Sequence, residues 1–188
     1  MKKRQAGWFS EWEMKDSAET RHGGGTRNGR RKVRRPLDSR RPLHLVLRSS
    51  KARGEFSFLR PHHRAAVDGI IARSTKRFGV RVERFANVGN HLHLMLRFRH
   101  RVCFQNFLRV VTCLIARAVT GAVRGQSFGS FWDALAFTRV VQSSQAERIL
   151  RSYIEANVVE AEWGRDARAE FLQRSARSRA TPGSVACG

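Results

Sequence analysis

Regular patterning begins at Leu43. The run LHLVLR, residues 43–48, is short and rich in β-formers and predicts a first strand. A glycine-containing loop follows, and Pro61 then opens a helical stretch to about Phe78. Val67, Ile70, Ile71 and Phe78 recur there at helical spacing, and Gly79 supplies the stop. VRVERFANV predicts a second strand, Gly89 and Asn90 a tight turn, and HLHLMLRF a third strand, so these two strands form a hairpin. Residues 103–120 carry the clearest helix: Phe104, Phe107, Leu108, Val111, Leu114, Ile115 and Ala118 follow the i, i+3, i+4 pattern, and Gly121 ends it. A short fourth strand is expected near Phe137–Val141. Ser144 and Glu147 read as an S-x-x-E capping box for a last helix running to about Glu162. The order β-α-β-β-α-β-α implies an α+β sandwich, with helices packed on an antiparallel sheet.

The flanks lack this periodicity. Residues 1–41 contain HGGGTRNGRRKVRRPLDSRR, glycine mixed with basic residues, and are expected to form a disordered basic arm. Trp8 and Trp12, four apart, are the one hint of a short helix there. The folded domain is placed at 42–164, and 165–188 is read as a tail that extends as a weak helix and then frays. A hydrophobic fraction of 41% in 188 residues suffices for one real core. No run approaches the roughly 18 uninterrupted apolar residues of a membrane span. The basic start has no apolar stretch behind it, which argues against a secretory signal. The three cysteines, Cys103, Cys113 and Cys187, fit neither a disulfide framework nor a zinc ribbon. A cytoplasmic protein with reduced thiols is expected.

Charge changes the picture. Lys and Arg number 37 against 15 Asp and Glu, a net of +22. Residues 1–41 contribute +8, residues 42–164 +11 and residues 165–188 +3, so the excess belongs to the folded part as well as to the arm. Repulsion of that size opposes compaction unless an anion is bound. Nucleic acid is the leading partner, since each neutralised phosphate releases counterions. A membrane surface fits less well, because no segment joins a basic face to a strong apolar face.

Candidate chemistry lies on the third strand. Side chains alternate along a strand, so Leu92, Leu94, Leu96 and Phe98 share the core face, and His91, His93, Met95 and Arg97 share the other. An H-x-H pair fits either two half-exposed histidines or two ligands of one ion. The last helix adds two polar groups to its inward stripe of Ala146, Ile149, Leu150, Tyr153, Ile154 and Asn157. A buried amide without a partner costs roughly 1–3 kcal/mol, so Asn157 should have one. Tyr153, the sole tyrosine, lies one turn before it.

These motifs carry a resemblance. NHLHLML resembles the His–hydrophobic–His signature of the single-tyrosine HUH transposases and their REP-associated relatives, and YIEAN resembles their Tyr-x-x-x-Asn helix motif. FWDALAFTRVV and LHLVLR are similar to the segment before that helix and to the first strand. The likeness spans about residues 42–163, in order. Val158 and Gly89 stand where the family commonly has proline, the first strand lacks the usual aromatic, and the arm lies outside the match.

The resemblance implies a ferredoxin-like or RRM-like HUH domain acting on single-stranded, hairpin-bearing DNA, as a monomer or a homodimer. It implies Tyr153 as nucleophile, with a 5′-phosphotyrosine link later resolved by a 3′-hydroxyl. His91, His93 and Asn157 become ligands of a divalent metal, Mg²⁺ or Mn²⁺, and imidazole ligation suits Mn²⁺ better. Such transfer needs no ATP, in keeping with a sequence that has no G-x-x-x-x-G-K loop. A nucleic-acid-binding protein on the same fold without catalysis is the alternative. The group that activates Tyr153 is not evident from the sequence.

Overall fold

The computed structural model describes residues 20–24, 34–126 and 128–180. Its elements are β1 (Arg21–His22), β2 (Leu43–Arg48), a 3₁₀ turn (Gly54–Phe56), α1 (Pro61–Phe78), β3 (Val80–Asn87), β4 (His91–Phe98), α2 (Arg101–Thr120), β5 (Phe137–Val140), α3 (Ser144–Trp163) and α4 (Arg165–Ala180). The strands form one sheet in the order β1-β5-β2-β4-β3, and every neighbouring pair is antiparallel. Without β1, this is the β-α-β-β-α-β arrangement of the ferredoxin-like fold, with the β3–β4 hairpin on one side and β5 returning beside β2.

Strand alternation gives the sheet two different faces. Leu43, Leu45 and Leu47 of β2 lie opposite Leu96, Leu94 and Leu92 of β4. All are buried in the main core against Val67, Ile70 and Ile71 of α1 and Phe104, Phe107, Val111 and Ile115 of α2. Helix α2 has the length and apolar composition of a membrane span, yet this stripe is spent on the sheet. The second face is covered by α3: Leu150, Tyr153 and Ile154 pack on Ala86, Met95 and Val141.

Ion pairs fix the start of α3 on that face. The register of β3 shifts between Val82 and Arg84, which sets Glu83 apart at a bulge. Glu83 accepts hydrogen bonds from Arg81, Arg97 and Arg151, and Glu147 accepts from Arg97 and Arg151. Burial alone would raise the Glu83 carboxyl. The hydrogen bonds from Arg81 and Arg97, with the charges of Arg97 and Arg151, hold it below the usual range.

Three expectations are refined. The N-cap of α3 is Ser143, not Ser144: the Ser143 hydroxyl accepts from the Ala146 amide. The helix starts one residue earlier than the S-x-x-E spacing suggests, and Glu147 is used for arginines instead of capping. Within 1–41, the described stretches are placed: Arg21 and His22 pair with Arg139 and Thr138 of β5, and buried Arg35 donates to the Ala136 carbonyl and Thr138 hydroxyl. The sheet edge thus extends into the segment expected to be an arm, whose residues 1–19 and 25–33 lie outside the described residues. Finally, Gly89 has φ +92°, a value closed to proline, whose ring fixes φ near −65°. The β3–β4 turn is therefore built for glycine.

Candidate functional site beneath helix α3

The second face gathers four rings. His93 of β4 is buried, His91 half-buried, and their ring centroids are 4.8 Å apart at 78°. Tyr153 of α3 meets His93 edge-on at 5.4 Å. The fourth ring is His44 of β2, fully buried, 5.5 Å from His93 and 6.4 Å from Tyr153. Strand alternation explains the gathering: His44 and His93 point away from the leucine face, on neighbouring strands, under the inward stripe of α3. The H-x-H face, for which the sequence left both a half-exposed pair and an ion site open, is closed at His93 because α3 lies over it.

Burial sets the protonation of these rings. His44 is pushed down to about 3 by desolvation. Desolvation also holds His93 well below the ordinary value, helped by the nearby charges of His44, His91 and Arg168. His91 is lowered by burial and by Arg48 and Arg168, against an opposing pull from Glu160. Near neutral pH all three are neutral imidazoles, the form that binds metal.

Each of the two imidazoles presents one nitrogen that can take up a divalent cation. His91 Nδ1 lies 2.6 Å from Asn90 Oδ1. That oxygen accepts, so the ring's proton sits on Nδ1 and its lone pair on Nε2. His93 Nδ1 is engaged by His44 Nε2 at 3.3 Å, whereas His93 Nε2 is buried with no hydrogen-bond partner among the described residues. Both imidazoles thus have one nitrogen held by a neighbour and the other open, the usual pattern of metal-binding histidines. Asn157 is buried, and its amide donates to the Tyr153 carbonyl at 2.9 Å. That meets the expected need for a partner and leaves Oδ1 as the acceptor. Two imidazole nitrogens and an amide oxygen fit Mn²⁺ better than Mg²⁺. Among the described residues no three His, Cys, Asp or Glu side chains form a metal cluster by themselves, so an ion here depends on the amide or on substrate.

The four-ring cluster opens onto a cavity of about 900 Å³, lined by His91, His93, Tyr153, Arg48, Trp132 and Phe137, among others. Arg35 also lines it. A cleft with cationic and aromatic walls suits a strand whose phosphates need charge and whose bases stack.

Sequence reasoning missed three residues. His44 sits in LHL, and alternation alone would have put it on the second face; only the β2–β4 pairing brings it to His93. Arg168 of α4 lies with its guanidinium 5.8 Å from the Tyr153 ring centre and is paired with Glu160. Arg168 belongs to the segment read as a tail, and Glu160 is two turns beyond Tyr153 on α3. No spacing rule within one helix foretells a contact between two helices.

No family model matches this chain, and no curated protein matches it. Among solved structures, one of a REP-associated tyrosine transposase bound to a REP hairpin aligns with a TM-score of 0.58, covering 84% of this chain and 94% of the other at 12% identity. At that identity the likeness shows a shared fold. It runs over nearly the whole of the other chain, so the fold read from the residues is the fold of a known tyrosine transposase.

Proposed function

We propose that this chain is a metal-dependent tyrosine endonuclease and strand transferase of the HUH type, acting on single-stranded or hairpin DNA. The observation that carries the reading is the convergence of the only tyrosine on the two H-x-H imidazoles, from elements some 60 residues apart in sequence. The cavity beside them, lined by Arg48, Trp132 and Phe137, and the hairpin-bound transposase of the same fold support it. In this reading Tyr153 Oη attacks a backbone phosphorus, the bond from phosphorus to the 3′-oxygen breaks, and the 3′-hydroxyl leaves with a proton. A 5′-phosphotyrosine link remains, and attack by a strand 3′-hydroxyl reverses it. His91, His93 and Asn157 would hold the divalent ion, which when bound supplies Lewis-acid polarisation of the phosphate. The protein's own part is orientation: α3 fixes the ring of Tyr153 against His93, and the exposed Arg48, paired with Asp133 at the cavity wall, offers charge to the strand's phosphates.

The test is incubation with single-stranded hairpin oligonucleotides and Mn²⁺, followed by denaturing electrophoresis. A covalent protein–DNA band is expected from the natural chain and none from Tyr153→Phe, which keeps the ring's packing. Non-covalent binding should survive in that variant. A band that persists in Tyr153→Phe would mean another nucleophile. Binding with no band from either protein would favour a nucleic-acid-binding module without catalysis.

A further inference from the structure

His44 belongs to neither the H-x-H pair nor the tyrosine helix, and the reading above gives it no task. It is nonetheless fully buried at the centre of the sheet. Its Nε2 lies 3.3 Å from His93 Nδ1, and the two rings are within 16° of parallel. An apolar side chain would fill that position at less cost, since a buried imidazole must be stripped of water.

Counting protons across this contact assigns the roles. A neutral imidazole carries one N–H and one lone pair, so only one of the two facing nitrogens can hold the proton. If His44 Nε2 held it, the proton of His93 would sit on Nε2, and that ring would have no lone pair for a cation. If His93 Nδ1 holds it, His93 Nε2 is open, and that atom has no hydrogen-bond partner among the described residues. A ligand at His93 can therefore bind only through Nε2, with Nδ1–H donated to His44. His91 is arranged alike by a different residue, with its Nδ1 at Asn90 Oδ1.

We propose that His44 is a positioning residue that accepts the His93 Nδ1–H hydrogen bond and fixes His93 in the tautomer whose Nε2 can ligate a divalent cation. This rests on the metal reading of His91 and His93, but the tautomer is observable without metal. Free histidine prefers its proton on Nε2, so an Nδ1–H form at His93 needs a cause. The partner of a metal-binding histidine typically contributes 10–100-fold in metal affinity.

The experiment uses the full chain and two variants, with folding checked by circular dichroism. His44→Phe keeps a ring and removes the acceptor; His44→Gln restores an acceptor oxygen. Two-bond ¹H–¹⁵N spectra of the cation-free protein at pH 7.5 read which nitrogen of His93 is protonated. Mn²⁺ affinity, measured by electron paramagnetic resonance without DNA, is the second readout. Expected are an Nδ1–H His93 in the natural chain, reversion to Nε2–H with at least tenfold weaker Mn²⁺ binding in His44→Phe, and recovery of both in His44→Gln. An Nε2–H His93 in the natural chain would overturn the proposal, as would unchanged spectra and affinity in His44→Phe. An Nδ1–H His93 that depends on His44 in a chain binding no Mn²⁺ would uphold the tautomer assignment and sink the metal reading instead.

Discussion

Burying His44 makes the fold sensitive to mild acid, and the size of the effect follows from the structure. The unfolded chain takes up a proton on this imidazole near pH 6.5, whereas the folded chain refuses it until about pH 3. Between those values the unfolded state binds more protons, so stability is full above about pH 6.5 and falls as pH is lowered towards 3. One unit of pKa difference corresponds to about 1.4 kcal/mol. At pH 5 the unfolded ring is 1.5 units below its midpoint, so His44 alone removes about 2 kcal/mol relative to neutral pH. His93 and His91, also lowered, add in the same direction. Against a total of about 5–15 kcal/mol for a typical domain, that loss is large. Urea denaturation in EDTA, followed by tryptophan fluorescence at pH 7.5 and pH 5, measures it. His44→Phe keeps a neutral ring against Phe137 and Tyr153, and its stability should fall about 2 kcal/mol less over the same interval. In thermal melts that is roughly 4–8 °C for a chain of this size. Parallel pH dependences in the two proteins would refute the claim that a buried neutral His44 couples folding to pH.

Other outcomes test the remaining parts. His91→Ala and His93→Ala should each abolish Mn²⁺-dependent cleavage and lower Mn²⁺ affinity while the protein stays folded, since neither residue belongs to the leucine core; full activity in the double variant would remove the metal site. Glu83→Gln leaves Arg81, Arg97 and Arg151 facing an uncharged partner, and should destabilise the fold by about 1–3 kcal/mol at neutral pH in chemical denaturation. Because the Glu83 carboxyl is held low, its contribution is present above the unfolded value and lost as pH falls through the folded one, so the gap between natural chain and variant should close in acid. Replacing Arg27, Arg30, Arg31 and Lys32 with Gln should flatten the dependence of log affinity for single-stranded DNA on log salt, by about 0.7 for each phosphate no longer neutralised; an unchanged slope would show that these residues stay off the DNA.

The elements were legible because local rules decide them. Alternation in LHLVLR and HLHLMLRF, the proline at the start of α1 and the left-handed glycines after α1 and α2 all act within a few residues. Periods of 2 and 3.6 placed His91 and His93 on one face of β4 and Tyr153 on the inward stripe of α3; that the two meet was implied by the resemblance, not by the periods. What escaped depends on pairing between distant segments. Arg21 and His22 form a strand only because β5 offers its edge. His44 reaches His93 only through the β2–β4 register. Arg168 reaches Tyr153 only because α4 turns back at Gly164, where φ is +89°. The closed state of the second face escaped for a related reason: its apolar patch is small, and nothing in the periodicity of α3 says which strands it will cover.

The placement of polar groups on that face is itself an argument about function. A sheet of this fold could cover its second face with aliphatic residues, as it does the first. Here the centre holds His44 and His93, Asn157 lies buried above, and His93 Nε2 has no partner among the described residues. Each departs from what packing alone favours, and such local conflicts with stability concentrate at functional sites. The rest of α3 is arranged to bear them. Glu147 and Arg151 bind its first turns to Glu83 and Arg97, while Leu150 and Ile154 bury its apolar stripe. With its start fixed by charge and its middle by packing, the helix has little freedom to rotate, and Tyr153 is held edge-on against His93. The ion-pair cluster thus holds the helix that carries the tyrosine as well as stabilising the fold. Under the proposed function, Glu83→Gln should therefore slow cleavage under conditions where the variant is still folded.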